Sequence, residues 1–152
     1  MTYLGWRRQQ GQIRQARQWE DAEVLADVRR LLQDIDPIRR RANVNRAPGA
    51  EDALWSSPNQ RRDEVRRRLL VLAAGHPSSA VQSSAEQLEV QLFTAAIQTE
   101  WHVSDLLKNR SNDEHLSFAR ERNEAALATA AELERAVKSA GASQLRAIRR
   151  SK

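Results

Sequence analysis

Residues 81–107, VQSSAEQLEVQLFTAAIQTEWHVSDLL, decide the fold. At 100° per residue, Val81, Ala85, Leu88, Leu92, Ala95, Ala96, Thr99, Val103 and Leu106 share one side of a helix and keep near-heptad spacing for more than three repeats. An apolar face this long has to be covered by other helices. Ser78 or Ser79 supplies an N-cap, and the predicted helix runs to about Asn109. A second apolar line, Val90, Phe93, Ile97 and Trp101, lies largely on the opposite side. A helix in a simple bundle needs one apolar face. Either this segment is central and packs on both sides, or Val90, Phe93, Ile97 and Trp101 form a homodimer or partner face.

Outward from this spine, three more helices are expected. The first runs from near Tyr3 to about Asp36, because Pro37 removes an amide donor and disfavours helix before it. Its core stripe is Val24, Leu25, Val28, Leu31, Leu32 and Ile35; upstream, the same face carries Gln10, Arg14, Arg17 and Asp21. Residues 1–20 should therefore project or be poorly ordered. Residues 43–59 read as a loop, with turn signals at Ala47-Pro48-Gly49-Ala50 and Ser56-Ser57-Pro58-Asn59, and Trp55 is expected to close the bundle end. A short helix over about 58–74 turns Val65, Leu69 and Leu72 inward and stops at Gly75 and Pro77. The last helix is capped by Asn112 and continues to about Ala140, with Leu116, Ala119, Ala126, Leu127, Ala130, Leu133 and Val137 on one face and Gly141 beyond. Asn123 falls within that face, where it either fixes register or sits at a solvated edge.

The expected fold is thus all-α: an antiparallel up-down bundle of four helices, or of three with residues 58–74 as a buttress. It divides into a projecting basic segment at 1–20, a bundle at 21–141 and a basic tail at 142–152. The Ala, Leu, Arg, Glu and Gln bias suits helices, and no alternating run reads as a strand.

The net charge of +5 is informative once placed along the 152 residues. Residues 1–19 hold Arg7, Arg8, Arg14 and Arg17 without an acid; residues 138–152 hold Lys138, Arg146, Arg149, Arg150 and Lys152 without one. The segment between is net acidic. In an up-down bundle the first and last helices are antiparallel, so the two basic ends meet. Arg7, Arg8, Arg14, Arg17, Arg146, Arg149, Arg150 and Lys152 then form one candidate anionic-surface patch. The opening Tyr3-Leu4-Gly5-Trp6-Arg7-Arg8 resembles the cytosolic exit of a transmembrane segment, with aromatics at the interface and arginines inside. On that pattern an anchor comes from a partner or lies upstream.

Catalytic chemistry has little to stand on. There is no cysteine, which removes disulfides, thiolate metal sites and a thiol nucleophile. His76, His102 and His115 form neither a Glu-x-x-His nor a His-Glu-x-x-His motif, and the His102/Asp105 spacing fits a metal pair or an ordinary surface pair. No Gly-rich phosphate loop is present, and the Arg61–Arg68 run reads as a solvated helix face with intrahelical Glu/Arg pairs. The sequence therefore gives no catalytic, cofactor or metal residues. The expectation is a non-catalytic helical interaction or scaffold module in the cytoplasm, at the inner membrane face through its basic termini. The alternatives are a nucleic-acid-binding accessory protein and a motif-less small-molecule-binding bundle or enzyme. Partners follow accordingly: a protein or second copy, an anionic membrane, and less readily a nucleic acid.

Overall fold

The computed structural model describes residues 2–46, 51–108, 110 and 113–150, and among these it is all helix and turn. The elements are α1 (Tyr3–Asp34), α2 (Pro37–Arg46), α3 (Glu51–Gly75), α4 (Ser79–Leu107) and α5 (Asp113–Arg150). The expected all-α bundle is what forms. The turn at 47–50, the Asn112 cap, Lys152 and the side chain of Trp55 lie outside the described residues.

Cross-helix pairs fix the direction of each element. Asp21 meets His76, Asp27 meets Arg68 and Asp34 meets Arg61, so α1 and α3 are antiparallel. Arg66 to Glu89 and Arg62 to Glu100 set α4 antiparallel to α3. Asp105 to His115 marks the α4–α5 hairpin, and Arg29 to Glu134 closes the ring between α1 and α5. Each of α1 and α4 packs between α3 and α5, which leaves α1 and α4 on one diagonal. The short α2 lies across α4 and α5.

The core is the union of the expected stripes. Val24, Val28, Leu31, Leu32 and Ile35 meet Val65, Leu69 and Leu72 of α3, Val81, Leu88 and Leu92 of α4, and Leu133 of α5. The most extensive helix contact is α4 with α5, and many of its buried side chains are alanines: Ala85, Ala95, Ala119 and Ala126 are fully buried. Small residues let two backbones approach closely over a long run. Leu127, expected inside, is exposed, whereas Asn123 is buried with its Oδ1 unpartnered, which rules out the solvated-edge reading.

Three boundaries differ from expectation for identifiable reasons. Pro37 ends α1 but also starts α2: Asp36 Oδ1 accepts from the Ile38 amide at 3.0 Å, and the Arg40 amide donates to the Asp36 carbonyl at 2.9 Å. Proline at the first helical position behind an aspartate cap is a helix start. The predicted loop at 43–59 is mostly helix, with α2 reaching Arg46 and α3 opening at Glu51 and continuing through Pro58. Helix-forming residues on either side of Pro58 carry α3 through it, offsetting part of the cost of an internal proline. Gly141 does not stop α5, which runs on to Arg150 with Arg149 and Arg150 in its last turn. One helical glycine costs only about 1 kcal/mol relative to alanine, and the residues around it are good helix formers.

The α1 C-terminus is secured by α4: Thr99 Oγ1 donates to the Ile35 carbonyl at 2.9 Å, satisfying a group that helix ends leave unpaired. The packing makes a quantitative prediction. Leu133→Ala should lower the unfolding free energy by about 3 kcal/mol, and Ala126→Leu by about 2 kcal/mol through overpacking. Leu127→Ala should cost under about 1 kcal/mol. Urea denaturation reads all three, and equal losses at Leu133 and Leu127 would contradict the packing described.

Candidate functional site

Two surfaces and one buried cluster carry the features a function could use. The first surface is the end of the bundle where Asp21 meets His76. The groove beside His76 is bounded on its other side by Ala136 and Ala140 of α5, so residue 21 of α1 and residue 140 of α5 lie at the same end. Residues 3–20 of α1 and 141–150 of α5 overhang there, as helix rather than loose tail. No side chain in residues 2–20 is buried. Thr2 caps the α1 overhang, the Tyr3 and Trp6 rings stack with centroids 6.3 Å apart, and the Arg7 guanidinium sits 4.8 Å over the Tyr3 ring.

Five arginines of the bundle are compensated across helices, and those at this end are not. Arg29, Arg61, Arg62, Arg66 and Arg68 all reach acids on neighbouring helices. The Arg61–Arg68 run is therefore an interhelical clamp, with Arg68–Glu64 its only intrahelical i,i+4 pair among the described residues. By contrast, none of Arg7, Arg8, Arg14, Arg17, Arg146, Arg149 and Arg150 is in an ion pair among the described residues. All but the half-buried Arg17 are exposed.

The second surface is the outward side of α4. Val90, Phe93 and Trp101 are 58 %, 41 % and 53 % exposed, and Ile97 is half-buried. The alternative in which α4 packs on both sides is not what forms, because α3 and α5 flank this line without covering it. The Arg66 guanidinium lies 5.4 Å over the Phe93 ring, and the Trp101 ring is 6.1 Å from that of His115.

His76, read as a turn residue, is a buried hub. Its Nδ1 accepts the Ser78 amide at 3.1 Å, which places the ring proton on Nε2, donated to Asp21 Oδ2 at 3.1 Å; Gln82 Nε2 donates to its carbonyl. Both ring nitrogens are committed, so this Asp–His pair has no free basic nitrogen to take a substrate proton. The adjoining groove, 510 Å³ and open to solvent, is lined by serines 78, 139 and 143 and by Arg135. Only the position of His76 before Pro77, at a helix junction, hinted at this role.

His102 is buried to 3 % exposure with neither ring nitrogen partnered. Asp105, three residues on, turns to His115 instead, so the candidate His102/Asp105 pair does not form. Among the described residues no group of three or more His, Asp or Glu could hold a metal, and no helix is long and apolar enough to cross a membrane. No protein-family model matches the chain, and no curated protein or solved structure matches it.

Burial holds the His102 pKa below the ordinary histidine value of 6.5; Arg41 of α2 and His115 of α5 push the same way, opposed by Asp105 of α4 and Asp113 of α5. The folded value thus lies below the unfolded one. Above about pH 6.5 both states are neutral and the fold keeps its full stability. As pH falls below that, the unfolded chain takes the proton first, and stability drops until the folded value is passed. Urea midpoints should fall between pH 7.5 and 5, and His102→Leu should flatten this fall. An unchanged slope in the variant would remove His102 as its source.

Proposed function

We propose that the protein is a non-catalytic helical interaction module that docks on an anionic membrane surface, at the cytoplasmic face, through one basic end. The observation that carries the reading is the joint overhang of α1 and α5, bearing seven described arginines that are in no ion pair among the described residues. Tyr3, Trp6 and Trp19 are exposed on the same overhang, and aromatic rings of this kind favour the headgroup region. Leu145 adds an exposed apolar side chain from α5.

Magnitudes support reversible rather than permanent docking. Each basic residue near an anionic leaflet contributes about 1 kcal/mol before screening, and charges lying beyond a Debye length of ~8 Å at physiological salt contribute little. Two helices spread seven charges over more than that length, so only part of the set acts at once. Arg29, Arg61, Arg62, Arg66 and Arg68 of the bundle are paired with acids, and residues 20–137 are net acidic, which keeps the attraction local to this end. Nucleic-acid phosphates would engage the same guanidiniums, and their contribution is read by the same variants in a salt-dependent gel shift.

Sedimentation with vesicles containing phosphatidylserine, against vesicles of phosphatidylcholine alone, tests the reading. The wild type should pellet with the anionic vesicles, less so as salt rises. Reversal of Arg7, Arg8, Arg149 and Arg150 to Glu should abolish pelleting while circular dichroism and melting temperature stay nearly constant. Absence of wild-type binding, or binding unaltered in the reversed variant, removes the membrane assignment.

A further inference from the structure

The outward side of α4 has a charge pattern as specific as its apolar one. From Val90 through Thr94 and Ile97 to Trp101 the spacing is four, three and four residues, the pattern of a helix–helix seam. Thr94 turns its hydroxyl back to the Val90 carbonyl at 3.0 Å, so this polar group is already satisfied within the helix. The charged carboxylates along the middle of the helix are already engaged: Glu89 by Arg66, Glu100 by Arg62 and Asp105 by His115. Two exposed charges remain without an ion-pair partner among the described residues, Glu86 at one end of the seam and Lys108 at the other. Each stands eleven residues from Ile97.

That symmetry selects the occupant. We infer that the α4 seam binds the α4 seam of a second copy, antiparallel, about a twofold axis through Ile97. In this arrangement Glu86 of each copy faces Lys108 of the other, Phe93 faces Trp101, and Ile97 faces itself. A parallel pair would oppose Glu86 to Glu86 and Lys108 to Lys108. An isologous interface has to be complementary to itself, and this line satisfies that in both charge and aromatic content. The two aromatic pairs lie about 6 Å either side of the axis and the two ion pairs about 16 Å from it, by the helix rise. The aromatics therefore supply the central anchor and the charges set the direction.

Because the chain has no cysteine, single introduced thiols report the geometry directly. Ile97→Cys should oxidise to a covalent dimer. Glu86→Cys alone should stay monomeric on the denaturing gel, as should Lys108→Cys alone, whereas mixing the two should yield the cross-linked heterodimer. Sedimentation equilibrium should show a wild-type dimer that Trp101→Ala weakens roughly thirty-fold. Glu86→Lys and Lys108→Glu should each weaken it, and the double exchange should restore it. A wild type that is monomeric to millimolar concentration overturns the inference, as does self-cross-linking of Glu86→Cys or a dimer indifferent to Trp101→Ala. None of these readouts involves lipid, so the result stands apart from vesicle binding.

Discussion

The close approach of α4 and α5 along their alanines is the constraint on which the other contacts depend. With Ala85, Ala95, Ala119 and Ala126 fully buried, these two helices are held as an antiparallel hairpin, and the larger side chains are displaced toward its inner side. Leu88, Leu92 and Leu133 then form a surface onto which α3 and α1 close with their own leucines and valines. The Thr99 hydroxyl, carried by the same helix, ties down the end of α1. Enlarging one alanine would therefore disturb more than the local pair, since all four sides of the core are referred to this hairpin.

Charge is arranged in two regimes. Within the bundle, Arg29 of α1 and Arg61, Arg62, Arg66 and Arg68 of α3 bridge to acids one helix away, so they set the neighbours and direction of each element. Exposed pairs of this sort contribute little to stability individually, on the order of 1 kcal/mol or less, but wrong pairings would bring like charges together. Glu134 illustrates the regime: its hydrogen bonds from Arg29 and then Lys138 hold its carboxyl below the usual range. Outside the bundle, on the overhangs, the acids are missing but for Glu20 at the edge of the α1 overhang. The boundary between the regimes falls at Asp21 and Lys138, where the core also ends.

The long-period features were legible in the sequence because they are repeated many times. Every buried residue of α4 except His102 lies on the stripe that the 81–107 segment displays, and the basic ends follow from counting charges. Single-residue signals were less reliable, because each has two physical readings. Pro37 both stops one helix and starts another, and Gly141 is a weak breaker that its helix-forming neighbours override. Helix α2 was missed because its buried face is made of Pro37, Arg40 and Val44, which no hydrophobic period reveals. The roles of His76 and His102 depend on partners dozens of residues away, or on having none, and a one-dimensional pattern does not carry that information.

The α1 overhang has a thermodynamic consequence. Residues 3–20 make about five turns, a rod of roughly 27 Å, held by its own backbone bonds and the Thr2 cap with no buried side chain. A helix of this length without packing lies close to its coil balance in water. Its degree of order is therefore an adjustable quantity, set by temperature and by whatever the rod touches. A ligand that requires the helical form binds in proportion to the helical fraction. Because the rod is continuous with the segment carrying Val24, Val28 and Leu31, the core supplies a permanent nucleus from which that order propagates, and substitutions near Glu20 would tune it from the inside.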